Sequence, residues 1–151
     1  MNRVQEGGRL LTHPAPRTVA SDLEGTLTTG ETWKGLLRFL RERGHGRAVS
    51  AFLALKLPGV ALAGAGVLDR EKVRQAWTAD LPRLLRGTPE ADVDALAEWV
   101  VERELWPGRR DDVLAELEAH RLAGHRVVLA SGAYQPVLEA FARRIGAEAV
   151  G

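Results

Sequence analysis

The segment His125–Ala130 (HRVVLA) contains four consecutive apolar residues and ends at the turn Ser131-Gly132. Such a run is typical of a strand that is buried on both faces of a parallel sheet. Arg17–Asp22 is a second, weaker strand candidate, and Ala147–Val150 begins a third. Because helical patterns separate the three candidates, the chain is expected to be an α/β protein. Its sheet would be Rossmann-like and parallel, with right-handed crossovers.

Helical patterns fill the long interval between the first two strand candidates. Thr32–Arg43 carries an apolar stripe at helical spacing. Asp69 resembles an N-cap for a helix that Pro82 must end or kink. Thr88-Pro89-Glu90 is a typical start for a further helix.

These helices are too many for a single crossover between two strands. We therefore predict an inserted α-helical cap over residues 31–105. Residues 17–30 and 106–151 would form the α/β core, and the polar residues 1–16 a loose N-terminal arm.

The segment Ala48–Leu68 is mostly apolar and has nearly the length of a membrane span. Lys56, Pro58 and three glycines interrupt it and argue against a stable span. A buried hairpin within the cap is the expectation. Two alternatives stay open, namely a membrane span and an apolar lid suited to a hydrophobic phosphate ester.

Charge and composition exclude several classes of function. The chain has 21 basic and 20 acidic residues, so no broad nucleic-acid-binding surface is expected. It has no cysteine, which excludes disulfides, thiolate zinc sites and cysteine nucleophiles. The first 17 residues lack the apolar core of a secretory signal, so a cytoplasmic location is expected.

Polar residues follow the first two strand candidates at the points where each strand is expected to end. The first turn is Asp22-Leu23-Glu24-Gly25-Thr26, and the second is Ser131-Gly132. In an open parallel sheet, ligands bind at the carboxyl ends of the strands. Asp22, Glu24 and Ser131 are therefore expected to converge although they lie far apart in the sequence.

These residue types suit phosphoryl transfer. The Asp22 carboxylate could attack phosphorus, and Glu24, two residues later on the same side, could protonate the leaving oxygen and then activate water. Gly25 would allow a tight turn beside the phosphoryl group. The Ser131 hydroxyl and the N–H groups that open the following helix could hold phosphate oxygens.

Each of these residues also has a structural interpretation that stays open. Asp22 and Thr26 could cap the backbone of their own turn. Ser131 could be a helix cap, and Glu31 could be a solvated residue at the start of a helix.

Together the two turns resemble motifs of the haloacid dehalogenase superfamily. Asp22-Leu23-Glu24-Gly25-Thr26 is similar to motif I, Asp-x-Asp-x-Thr, with Glu24 in the second position, as in enolase-phosphatases. Ser131 matches motif II. The segment from Pro107 onward is similar to the phosphoserine-phosphatase branch, which places a substrate-contacting Glu at the position of Glu31.

The resemblance implies a Mg²⁺-dependent phosphatase that hydrolyses a small phosphate monoester, a phosphorylated metabolite, through an aspartyl phosphate. Asp22 would be the nucleophile and Glu24 the acid and base. The Asp22 carboxylate and the Glu24 backbone carbonyl would be Mg²⁺ ligands. Phosphotransfer to another alcohol is the alternative activity. The phosphate-binding residues would be Gly25, Thr26, Ser131 and Gly132.

Two further motifs of the superfamily are missing. Motif III requires a Lys and motif IV one or two Asp, but the sequence has no Lys after Lys72 and no Asp after Asp112. We therefore expect a truncated chain, or one that a homo-oligomer or another chain completes. The alternative is a catalytically inactive fragment that retains only binding.

Overall fold

The structure is a computed structural model that describes residues 16–151, apart from the side chain of residue 78. The predicted N-terminal arm, apart from Pro16, lies outside the described residues. The regular elements, in chain order, are β1 Thr18–Ser21, α1 Thr32–Glu42, α2 Gly46–Gly64, α3 Arg70–Asp80, α4 Glu90–Val100, α5 Asp111–Leu122, β2 Arg126–Ala130, α6 Gln135–Ile145 and β3 Glu148–Val150. Short 3₁₀ segments cover Leu81–Leu85 and Trp106–Gly108, and a π-helical segment covers Val101–Leu105.

The three strands form one parallel sheet in the order β1-β2-β3. Ser21 of β1 pairs with Leu129 of β2, and Ala130 of β2 pairs with Val150 of β3. The central strand is β2, whose residues Val127, Val128 and Leu129 are all buried. The predicted α/β class with a parallel sheet is confirmed.

The helices before β2 pack against the helix that follows it. The α4 helix contacts both α1 and α6, and it continues through the π-helical segment to Trp106. The Trp106 ring lies 5.8 Å from the ring of Phe141 on α6, centroid to centroid. Leu96, Val100 and Phe141 are almost completely buried in the resulting core. The described helices and the sheet thus share one continuous core, and the predicted division into core and cap stays a prediction.

The expectation of a buried hairpin over Ala48–Leu68 is wrong. Gly46–Gly64 is one continuous helix of 19 residues with Pro58 inside it, and only Val49, Phe52 and Ala63 are buried. Proline has a helical φ; inside a helix it removes one hydrogen bond and crowds the carbonyl four residues earlier, which can kink a helix without ending it. The composition of the segment shows that it is apolar, but it does not show whether its side chains are buried.

The α2 helix is the one described helix long and apolar enough to cross a membrane, with a mean hydropathy of 1.3. This finding rests on length and composition alone, which core helices and signal sequences also satisfy. One side of α2 packs on α3, where the Phe52 and Trp77 rings are 5.2 Å apart and Lys56 forms an ion pair with Asp80.

Candidate active site

The turn after β1 is closed by its own backbone. Gly25 has a φ of +82°, and its N–H donates to the Thr28 carbonyl at 2.8 Å. The Leu27 N–H donates to the Leu23 carbonyl at 2.9 Å, and both leucine side chains are fully buried. The apolar side chains hold the turn against the core, while the Asp22 carboxylate remains exposed.

A second set of contacts anchors this turn to the segment that follows α4. The buried Thr28 hydroxyl donates to the Leu105 carbonyl at 2.5 Å and accepts from the Gly30 N–H at 3.0 Å. The Thr29 N–H donates to the Gly108 carbonyl at 2.9 Å. These contacts fix the turn relative to α4, although 77 residues separate Thr28 from Leu105.

Both acidic side chains of the turn have one oxygen engaged by backbone. Asp22 Oδ1 accepts from the Leu23 N–H at 2.7 Å. Glu24 Oε1 accepts from the Thr32 N–H at 2.7 Å, at the first residue of α1. Glu24 therefore satisfies one of the N–H groups that the start of a helix leaves without a partner. Because a hydrogen bond to the backbone holds the first oxygen of each carboxylate, the direction of the second oxygen is fixed as well.

Strand register brings the second turn beside the first. Because Ser21 pairs with Leu129, the chain continues at Asp22 on one strand and at Ala130 and Ser131 on the next. Ser131 and Gly132 then lead into α6, whose N-terminus has no side-chain cap in the described residues. Asp22, Glu24, Ser131 and Gly132 all line one cavity of about 1230 Å³. The convergence of these residues at the carboxyl ends of β1 and β2 is therefore present in the structure.

The structure does not place the other three predicted site residues in the lining of this cavity. Gly25 and Thr26, in the same turn as Asp22 and Glu24, are not among its lining residues. The Glu31 carboxylate forms an ion pair with Lys34 at 3.0 Å and is 41% exposed.

Sequence reasoning missed several residues that line the cavity. Thr32 and Gln135 each carry a side-chain oxygen that is buried without a hydrogen-bond partner in the described part of the chain. Unsatisfied buried oxygens of this kind call for a ligand or water. Tyr134 also lines the cavity, and burial raises the pKa of its phenol, so it remains a neutral donor at neutral pH. The only sequence signal for Thr32 was its place at the start of the predicted helix.

The family of this chain follows from a comparison with known families. The family model of haloacid dehalogenase-like hydrolases matches residues 19–151. The chain belongs to this family. The match includes both turns, β2, β3 and β1 from Val19 onward.

A solved structure agrees with the fold. The chain is similar to a protein of unknown function from Bordetella pertussis Tohama I, with a TM-score of 0.63 and 18% sequence identity. The match covers 89% of this chain and 59% of the Bordetella protein, so the chain spans well under two thirds of that relative. A search of curated proteins gave no match.

Enzymes of this family generally use Mg²⁺. Among the described residues, no group of three or more His, Cys, Asp or Glu side chains could hold a metal ion. Mg²⁺ is often held by only one or two carboxylates, together with water and substrate phosphate. The ligands expected from the sequence, the Asp22 carboxylate and the Glu24 backbone carbonyl, amount to two protein oxygens, so phosphate, water or further residues would have to supply the remaining ligands.

Proposed function

We propose that the protein is a Mg²⁺-dependent phosphatase that hydrolyses a phosphate monoester through an aspartyl phosphate. The observation that carries the proposal is that Asp22, Glu24, Ser131 and Gly132 line one cavity at the carboxyl ends of β1 and β2. A nucleophile, an acid–base group and phosphate-binding groups thus face a common volume. We also propose that the enzyme acts in the cytoplasm on a small phosphorylated metabolite.

Asp22 is the proposed nucleophile because its carboxylate is exposed at the end of a paired strand. Oδ1 accepts the Leu23 N–H, which leaves Oδ2 to attack phosphorus. The new bond joins Oδ2 to phosphorus, and the bond from phosphorus to the alcohol oxygen breaks. The leaving oxygen takes a proton from Glu24, so the first products are an alcohol and an aspartyl phosphate.

The second step restores the enzyme. Glu24 accepts a proton from water, the water oxygen attacks phosphorus, and the bond to Asp22 breaks to release inorganic phosphate. Glu24 Oε2 performs both transfers, since Oε1 accepts the Thr32 N–H. The Ser131 hydroxyl and the N–H of Gly132, in the turn that leads into α6, bind the phosphate oxygens. When Mg²⁺ is bound, it neutralises charge on the transferring phosphoryl group.

We infer that residues beyond the described ones complete the site. No Lys follows Lys72 in the sequence, so the cation expected of motif III is missing from this part of the cavity. Within the described residues β1 pairs with β2 alone, which leaves one edge of β1 free for another strand. Later residues of the same chain, a second copy or another chain would supply that strand and the missing groups.

The test is phosphatase activity of the protein expressed from its full native reading frame, with p-nitrophenyl phosphate and Mg²⁺. Asp22→Asn is expected to lower kcat by at least about a thousandfold, since the nucleophile is lost. Glu24→Gln is expected to lower it by about a hundredfold or more, while its amide oxygen still accepts the Thr32 N–H. Asp94→Asn, at an exposed position on α4, is the matched control and should leave turnover unchanged.

Full turnover in Asp22→Asn would refute the nucleophile assignment. Product analysis with added alcohols distinguishes hydrolysis from phosphotransfer, because a transferase converts the added alcohol into a new phosphate ester. If the complete, monodisperse protein has no activity and binds neither phosphate nor Mg²⁺, the catalytic proposal fails.

A further inference from the structure

The cavity that holds the acidic residues extends well beyond them, and its far walls are apolar. Trp33 and Leu36 of α1, Leu57 and Val60 of α2, and Val73 and Trp77 of α3 line it. At about 1230 Å³ the cavity exceeds the volume that a phosphoryl group needs. It also exceeds the ~300–1,000 Å³ of ordinary small-molecule sites. The excess volume is bounded mainly by hydrocarbon.

Contacts between the three helices join the apolar walls to one another. The Trp77 ring packs edge-on against Trp33 at 5.4 Å and against Phe52 at 5.2 Å, centroid to centroid. The ion pair between Lys56 and Asp80 joins α2 to α3. These contacts fix α1, α2 and α3 relative to one another, and the cavity between them is present without a ligand.

The α2 helix presents different apolar side chains to the cavity and to the outside. Leu57 and Val60 line the cavity, yet they remain 52% and 42% exposed. Leu55, 77% exposed, is not among the lining residues. Exposed apolar side chains inside a concave site mark a surface that a bound apolar group would cover.

The charges at the cavity wall do not suit a zwitterionic substrate such as a phosphoamino acid. Among the described residues that line the cavity, only Asp22 and Glu24 are acidic, and both belong to the phosphoryl end. Two basic residues also line it: the Arg70 guanidinium donates to the carbonyls of Ala63 and Gly64, at 3.2 and 3.3 Å, and Arg74 forms an ion pair with Glu71 at 2.8 Å. A substrate ammonium group at the far end would therefore meet these cations and no carboxylate of the lining.

We propose that the substrate is a phosphate monoester whose alcohol carries an extended apolar chain, and that the walls formed by α1, α2 and α3 bind this chain. The inference rests on the proposed function, because the phosphoryl group must lie at Asp22. The phosphate is held at the strand ends and the apolar chain runs outward between α2 and α3. The cavity thus selects the substrate by the length of its hydrocarbon.

The test is a series of n-alkyl phosphates from ethyl to octyl, assayed with the complete protein below the concentrations at which they form micelles. Full burial of a methylene corresponds to a factor of about four. Because the cavity is partly open, kcat/KM is expected to rise about twofold per methylene, or on the order of fiftyfold over the series. Leu57→Ser is expected to lower the ratio of octyl to ethyl turnover severalfold. Leu55→Ser, on the outer face of the same helix, should leave that ratio unchanged.

A binding measurement separates this inference from the proposed function. The non-hydrolysable n-alkylphosphonates can be titrated while following tryptophan fluorescence, since Trp33 and Trp77 line the cavity. Phosphonate affinity that rises with chain length, without any hydrolysis of phosphates, supports the apolar site and overturns the phosphatase. Hydrolysis of the phosphates with no dependence on chain length supports the phosphatase and overturns the apolar site. Equal effects of Leu57→Ser and Leu55→Ser would also overturn the inference, because the chain would then bind outside the cavity.

Discussion

Thr28 provides a direct test of how the catalytic turn is held in place. Its side chain is 0% exposed, and its hydroxyl makes two hydrogen bonds, one to the Leu105 carbonyl at 2.5 Å and one from the Gly30 N–H at 3.0 Å. Thr28→Val preserves the shape of the side chain and removes both bonds. The Leu105 carbonyl and the Gly30 N–H then lose their hydroxyl partner in a region with little access to water.

The expected cost follows from those two groups. Leaving a buried polar group without a partner costs about 1–3 kcal/mol, so the free energy of unfolding should fall by about 2–5 kcal/mol. That is a large part of the ~5–15 kcal/mol that stabilises an ordinary domain. For a chain of this size, Tm should fall by roughly 4–20 °C, at about 2–4 °C per kcal/mol.

Thermal and urea unfolding, followed by circular dichroism, would measure the loss. Thr28→Ser keeps the hydroxyl and should recover most of the stability. Thr29→Val is the matched control, because Thr29 is exposed and its hydroxyl makes only a 3.3 Å contact with the Gly108 carbonyl. It should change stability by less than about 0.5 kcal/mol. Equal stability of the two valine variants would refute the role assigned to Thr28.

Three further substitutions test other contacts, each by chemical unfolding of the purified protein. Gly30→Ala would place a Cβ atom 2.3 Å from the Glu104 carbonyl oxygen, so we expect a loss of about 1–3 kcal/mol; an unchanged midpoint would contradict that close approach. Gly59→Ala, in α2 with no heavy atom within 4 Å of the new Cβ, should instead add about 0.5–1 kcal/mol. The hydrogen bond from Lys56 lowers the pKa of Asp80 below its ordinary 3.8. The ion pair therefore stabilises the fold above that pH, and this stabilisation disappears as the pH falls through the lowered pKa. Asp80→Asn should therefore be less stable than the wild type at pH 6, and the difference should vanish in acid; a constant difference would contradict the linkage.

Local sequence signals predicted the elements whose causes are themselves local. Four consecutive apolar residues before a Ser-Gly turn indicated a buried strand, which the structure has at Arg126–Ala130. Asp69 does cap its helix, accepting from the N–H groups of Glu71 and Lys72. The α-helix ends at Asp80, two residues before Pro82, and the chain continues as the 3₁₀ segment Leu81–Leu85, which contains the proline.

Features that depend on distant contacts were not predictable from the sequence. The bond from Thr28 to Leu105 joins the turn after β1 to the end of the π-helical segment, 77 residues later in the chain. The apolar segment of α2 was predicted to be buried, because apolarity usually accompanies burial. The burial of α2 depends instead on which elements pack against it, and α3 covers only one side of the helix. The cavity lies between α1, α2 and α3, and no single segment of the sequence encodes it.

Glu24 shows that a catalytic and a structural interpretation of one residue can both hold. Its Oε1 accepts the Thr32 N–H, as a helix-capping group would, while the same side chain lines the cavity with Asp22. A carboxylate with one oxygen bound to the backbone presents the other in a defined direction, which proton transfer to a leaving oxygen needs. The helix that fixes Glu24 is α1, which also supplies Trp33 and Leu36 to the apolar wall. One helix therefore sets both the position of the proposed acid–base group and the shape of the space beside it.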